Sequence, residues 1–300
     1  MLLATLRTSL VLLLLAAQTS QAQAQRPLER LRRDLEARMA RHRGVLGLAV
    51  IDLRSGDTLT IRGHERFPTA SVIKLPILVE LFHQMRHGRL RWEDRLVMLD
   101  ADRVPGAGII QHFQPPHELT VGDAATLMVS LSDNTATNLI IDKLGIRGVN
   151  ARMDSLGLPA TELYAKVFLR ARTSVDTAGS ARWGLGVTTP FEMATLLARL
   201  YRAELVSDTA SKRMIELLKL QQTRDRIPRL LPPGTVVAHK TGEVAESRND
   251  CGIVYAAQHE FVFCAFTREN VDQRWTLENE AALLIAQLAR LVYDALAAGS

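Results

Sequence analysis

The two ends of this chain mirror each other, and that symmetry limits the available folds more than any other feature of the sequence. From Pro27 to Arg43, Leu28, Leu31, Leu35 and Met39 recur at helical spacing among charged residues, the pattern of an amphipathic helix. Val45 to Leu53, a Ser55-Gly56-Asp57 turn and Thr58 to Arg62 then read as a β-hairpin. Near the C-terminus the order reverses. Cys251 to Ala256 and Phe261 to Thr267 give a second hairpin pattern, followed by a helical pattern from Thr276 to Leu296. Between about Phe67 and Leu231 the signals are almost all helical, with no internal repeat and no low-complexity linker. Thr189-Pro190-Phe191-Glu192 has the form of a capping box with proline at the first helical position, and Gly145 closes the run Thr137 to Leu144 as a C-cap. The expected fold class is α/β of the α+β kind: an antiparallel sheet of about five strands flanked by N- and C-terminal helices, plus an inserted all-helical domain. The expected division is 25–66 plus 232–300 for the sheet and 67–231 for the helices, with a functional cleft where they meet.

The residues ahead of this pattern carry an address. Met1 to Ala24 hold one cation, Arg7, an apolar run from Leu10 to Ala17, and a small-x-small end, Ala22-Gln23-Ala24. That is the form of a secretory signal, with an apolar core too short to span a bilayer. No cysteine lies near the cleavage point, which excludes lipid attachment there. The expectation is a secreted or periplasmic protein that leaves the membrane once residues 1–24 are removed. Lys and Arg number 37 against 32 Asp and Glu, a net charge of +5. The excess is spread without a dense basic run, so it reads as a solvated surface and not as a nucleic-acid footprint. Cys251 and Cys264 are the only cysteines, and either a pair across the second hairpin or two buried thiols fits them. His83 and His87 lie four apart without a third ligand, and no glycine-rich phosphate loop occurs, so neither metal nor cofactor is expected. A monomer acting on a small molecule is the expected partner state.

Three short motifs carry the chemistry. Ser71-Val72-Ile73-Lys74 is followed by Ser132-Asp133-Asn134 and then by Lys240-Thr241-Gly242. Ser-x-x-Lys arises by chance about once in a chain of this length, but each of the other two only about once in twenty such chains, so the ordered triple is specific. A serine hydroxyl is a poor nucleophile at neutral pH and needs a base within hydrogen-bonding distance. Residues three apart on a helix share a face, so a helix from Val72 to Met85 sets Lys74 beside Ser71. That helix is apolar nearly all round, and burial lowers a lysine pKa toward the range in which the neutral amine accepts a proton. Ser132-Asp133-Asn134 falls in a break between two helical runs, and Lys240-Thr241-Gly242 ends an extended run, Thr235 to His239, that looks like an edge strand.

These residues resemble the class A β-lactamases and their penicillin-binding relatives, whose signature is Ser-x-x-Lys, Ser-Asp-Asn and Lys-Thr-Gly in this order. The resemblance extends to Phe67-Pro68-Thr69-Ala70 before the serine, Thr135 to Leu139 after Asn134, and Arg248-Asn249-Asp250 entering the next strand. It implies Ser71 as the acylated nucleophile and Lys74 as its base or base partner. It implies Ser132 as the proton relay to the leaving nitrogen, with Lys240 beside it, and Asn134 as the partner of the substrate amide. The backbone N–H groups of Ser71 and Glu243, the latter next to Gly242, are implied as the oxyanion hole, and Thr241 and Arg248 as the holders of a substrate carboxylate.

Two departures bear on substrate and turnover. The deacylating glutamate of the class A pattern, in E-x-x-L-N, is missing; between Leu163 and Thr188 the only carboxylate is Asp176, the one candidate base in this stretch. Glu192 is accounted for by the capping box, and Glu162 precedes the loop. A positioned general base is worth about 10² to 10⁴ in rate, so acylation is expected to be secure and deacylation slow. Glu243 sets a carboxylate where a β-lactam or a D-Ala-D-Ala peptide brings its own. The expected reaction is hydrolysis of a β-lactam or related amide through acyl-Ser71. The alternatives are a D-Ala-D-Ala peptidase or esterase, or a penicillin-binding sensor that turns over slowly.

Overall fold

The computed structural model describes residues 28–256 and 259–297; the signal-like segment 1–24 lies outside them. The chain begins with helix α1 (28–39) and runs through β1 (Val45–Asp52), β2 (Thr58–Ile61) and the short β3 (Phe67–Pro68) into a 3-10 turn, Ala70–Ile73, continued by α2 (Lys74–Arg86). β4 (Arg95–Met98) and β5 (His117–Thr120) bracket a long loop, and α3 (Val121–Ser130), α4 (Asn134–Leu144) and α5 (Ile146–Ser155) follow. Next come β6 (Glu162–Leu163), α6 (Arg170–Thr173), α7 (Thr177–Trp183), β7 (Gly186–Thr188), α8 (Pro190–Tyr201) and α9 (Asp208–Lys219). A 3-10 turn at Ile227–Leu230 leads to β8 (Val236–Val244), β9 (Ser247–Ala256), β10 (His259–Arg268) and α10 (Glu280–Ala297).

The main sheet has five antiparallel strands in the order β2-β1-β10-β9-β8. The first strand pairs with the last along its whole length, from Val45 opposite Arg268 to Asp52 opposite Phe261, so the ends of the chain close one sheet. Alternation sorts its side chains into two cores, because successive strand residues point to opposite faces. Leu46, Leu48 and Val50 with Phe261, Phe263 and Ala265 meet Leu31 and Leu35 of α1 and Leu284, Ile285 and Leu288 of α10. Ala49 and Ile51 with Val262, Cys264 and Phe266 meet the apolar faces of α2, α3, α8 and α9. Cys251 and Cys264 stand directly opposite in the β9–β10 register, fully buried, and are joined as a disulfide, which decides between the two states the sequence left open.

Three local expectations are corrected. The helix expected from Val72 begins as the 3-10 turn Ala70–Ile73, and the α-helix starts at Lys74. Pro76 lacks the N–H that an α-turn would direct to the carbonyl of Val72, so the shorter turn precedes it. At the start of α8, Thr189 Oγ1 accepts from Glu192 N at 3.1 Å, but the Glu192 carboxylate does not complete the box; it accepts from Ala160 N at 3.0 Å and Thr161 Oγ1 at 2.7 Å. The last helix starts at Glu280 and not at Thr276, because Asn279 Oδ1 takes the free N–H groups of Ala281 and Ala282.

Candidate active site

The site is assembled where the edge strand β8 meets the turn that carries Ser71. A Cβ on Gly242 would lie 2.6 Å from Thr69 O, 2.9 Å from Val72 N and 3.0 Å from Ser71 N, so only glycine lets the strand backbone come this close. Asn249, opposite Gly242 in the register, fixes the same turn from the neighbouring strand. Its Nδ2 donates to Pro68 O at 2.8 Å and Thr69 O at 3.3 Å, and its Oδ1 accepts from Thr267 N at 2.9 Å. Ala70, just before the serine, has φ of 44°, a left-handed conformation held by these contacts.

Ser132-Asp133-Asn134 divides its labour. Asp133 is buried and structural: Oδ1 caps α4 through Ala136 N at 2.9 Å, while Oδ2 accepts from Ile109 N at 2.7 Å and Ile110 N at 3.0 Å. With the middle residue held and Ser132 at φ of 55°, the two outer side chains turn to the lysines. Lys74 Nζ donates to Ser132 O at 2.7 Å, Ser132 Oγ at 3.0 Å and Asn134 Oδ1 at 3.1 Å. Lys240 Nζ donates to the same Ser132 Oγ at 3.1 Å and to Thr241 O at 2.9 Å. The three motifs are thus one hydrogen-bonded cluster, with both lysines fully buried. Ser71, partly exposed, contributes no acceptor to Lys74 in this state. Catalytic contacts of this kind often tighten only when substrate binds.

Burial, aided by the nearby Lys240 charge and opposed by Asp133, holds the Lys74 amine well below the usual lysine range. Lys240 is brought down to about 7, chiefly by burial, with Asp250 opposing and Arg226 assisting. Lys74 therefore suits a proton acceptor: the charged form has three acceptors around it, and the neutral form is favoured by its surroundings.

Other expected residues sort unequally. Thr241 is buried beside Lys240 and opposite Asp250. Arg248 is tied to the protein itself: Nη1 donates to Ser247 O at 2.9 Å, Nη2 to Arg274 O at 2.9 Å, and the guanidinium stacks on Trp275 at 4.5 Å. Backbone carbonyls thus occupy Nη1 and Nη2, and Nε lies 4.0 Å from Glu243 Oε2. Arg226, not among the residues expected from the sequence, is fully buried and pairs through Nη2 with the Glu243 carboxylate; Nε and Nη1 make no hydrogen bond, and Nη1 lies 3.7 Å from Asp225 Oδ1. The Glu243 carboxylate therefore has a guanidinium counter-charge beside it. Asp176 is exposed and acts as the N-cap of α7, accepting from Gly179 N at 2.9 Å. A carboxylate spent on helix donors is a poor general base, so its candidacy is not supported.

The profile of the beta-lactamase enzyme family matches residues 30–296, and the chain belongs to that family. It is similar to the extended-spectrum beta-lactamase PER-1 of Pseudomonas aeruginosa, with 27% identity over 301 residues covering 96% of this chain and 93% of that one. Among solved structures it is similar to an acyl-enzyme complex of a PBP-A mutant with penicillin G, at a TM-score of 0.78 and 27% identity over 91% of this chain and 97% of that one. It is also similar to the beta-lactamase of Sphaerobacter thermophilus DSM 20745, at a TM-score of 0.77 and 28% identity over 89% and 97%.

Proposed function

We propose that the protein, exported from the cell and working as a monomer, hydrolyses β-lactams or closely related amides through an acyl-Ser71 intermediate, with the second half of the cycle slow. The observation that carries this reading is the Ser132 hydroxyl, whose oxygen accepts from both Lys74 and Lys240. With its lone pairs engaged, its own proton is left to donate into the cleft. In acylation, neutral Lys74 takes the Ser71 proton as Oγ bonds to the carbonyl carbon. The oxyanion faces the N–H groups of Ser71 and Glu243, where one donor is worth about 3 kcal/mol. As the C–N bond breaks, the nitrogen takes the Ser132 proton and Lys74 returns one to Ser132. Asn134 holds the substrate amide, and Thr241, backed by the buried Arg226 guanidinium, holds its carboxylate.

Deacylation needs a base to activate water. In the loop ahead of α8, Asn138 grips Val167 through Val167 N at 2.8 Å and Val167 O at 3.0 Å, and the residue beside it is Phe168; the loop's only carboxylate is committed to α7. A loop whose one carboxylate is engaged as a helix cap favours slow release and keeps a second reading open, a peptidase or esterase acting on D-Ala-D-Ala stems or a penicillin-binding sensor. The penicillin acyl-enzyme of the PBP-A relative supports acylation by a β-lactam. Purified protein mixed with nitrocefin and a fluorescent penicillin tests both halves. A burst of colour with persistent label, abolished in Ser71→Ala, is expected. Sustained colour with free enzyme by mass spectrometry overturns slow deacylation, and hydrolysis retained by Ser71→Ala overturns the nucleophile.

A further inference from the structure

Phe168 is a large apolar side chain left 64% exposed, on a backbone with φ of 57°. A bulky residue adopts that left-handed conformation only where its surroundings impose it. Here the loop is fastened to α4 at successive turns of the helix. Asn138, itself buried, binds both the N–H and the carbonyl of Val167, and Asp142 takes Lys166 Nζ at 2.6 Å. Leu169 N closes the turn onto Lys166 O at 3.2 Å. With its flanks fixed, the aromatic ring projects out of the loop and has no apolar core to enter.

The ring projects toward the reacting groups. A Cβ built on Gly106 would meet Asn134 Nδ2 at 2.9 Å and Phe168 Cε2 at 3.1 Å. Ring edge and carboxamide therefore flank the same point above the Gly106 backbone, which at φ of 90° is a position glycine favours. The other end of that carboxamide accepts from Lys74. Ring, amide and base thus line one wall of the cleft in sequence.

We propose that Phe168 is a specificity-determining residue whose ring forms the platform for the acyl-side substituent of the substrate, selecting amides that carry an aromatic or bulky aliphatic acyl group. This rests on the acyl-Ser71 reading above, because it takes Asn134 as the partner of the substrate amide. A substituent attached to that amide has to lie over the neighbouring ring. Burying it there removes apolar surface of both partners from water, and a flat ring edge adds offset or edge-to-face contacts with an aromatic group. A small or charged acyl group gains nothing from this wall.

The test compares acylation of the full protein by penicillin G, which carries a phenylacetyl group, and by 6-aminopenicillanic acid, which has the same ring system and carboxylate without it. In Phe168→Ala, the second-order rate of Ser71 acylation by penicillin G is expected to fall about tenfold, the scale of one lost apolar contact in a specificity pocket. Acylation by 6-aminopenicillanic acid stays within about twofold, Phe168→Tyr keeps the preference, and the melting temperature is unchanged because the ring is exposed. Equal loss with both compounds, or no loss with penicillin G, overturns the assignment while leaving the nucleophile intact. Failure of both compounds to acylate the unaltered protein overturns the acyl-serine reading and this inference with it.

Discussion

Two buried lysines share one serine oxygen, and their protonation has to differ for the site to work. Lys74 must be neutral to accept the Ser71 proton, while Lys240 must be charged to hold Ser132 and attract a carboxylate. The order is built in, since the Lys240 charge is itself one cause of the low Lys74 pKa, and Asp250 offsets part of the burial acting on Lys240. Raising the pH through about 7 strips the proton from Lys240, so acylation falls on the alkaline side. Lowering it protonates Lys74, so acylation falls on the acid side. The nitrocefin burst rate is expected to fall as the pH rises from about 7 to about 9, and a rate that stays flat above pH 7 contradicts it. At this scale the motifs were legible because each combines a rare residue order with a chemical need. Arg226 was not, since Arg224, Arg226 and Arg229 look alike in sequence and only packing buries the middle one at the Glu243 carboxylate. Arg248 was named only through the resemblance, and the carbonyls of Ser247 and Arg274 that take its Nη1 and Nη2 leave no trace in the sequence.

Elements bring these residues together through one close approach, that of β8 to the 3-10 turn. Gly242 and Asn249 fix the separation from two adjacent strands, so the position of Ser71 depends on backbone and not on side-chain packing alone. Gly242→Ala would bring a methyl group to 2.6 Å from Thr69 O, and the atoms it meets belong to backbone that cannot rotate aside. We expect a loss of about 1–3 kcal/mol of stability, the usual cost of overpacking. The displaced turn should also lower acylation about a hundredfold, as a misplacement of about 1 Å can. Thermal unfolding and burst kinetics on the same variant check both, and a normal burst at normal stability contradicts the close approach. The helices of this region were legible from their periodicity. The 3-10 turn was not, because Ser71 to Lys74 has the same side-chain spacing in either helix type and the deciding feature is the N–H that Pro76 lacks. The short strands β3, β6 and β7 were missed because two- and three-residue pairings leave no periodic signal.

At the scale of the molecule, the terminal strands were legible because both hairpin patterns are apolar and bounded by turns or by helical patterns. Their union in one sheet follows from burial on both faces, which neither end can achieve alone. The outer face is covered by α1 and α10, and α10 supplies the larger share. Leu284, Ile285, Leu288 and Val292 are buried by it against Leu48, Phe261 and Phe263. Each such side chain is worth about 1.5–3 kcal/mol when taken out of water, so together they contribute about 6–12 kcal/mol, as much as the whole stability of a typical domain at about 5–15 kcal/mol. Ending the chain at Asn279 removes that layer and uncovers the central strands β1 and β10, from which the β8 edge and the Ser71 turn are built outward. The truncated protein is therefore expected to show no cooperative thermal transition by circular dichroism and no labelling of Ser71 by a fluorescent penicillin, even though every residue of the cluster around Ser132 is still present. A sigmoidal melt with normal labelling would mean that the inner core alone sustains the sheet, and that α10 protects the site without holding it together.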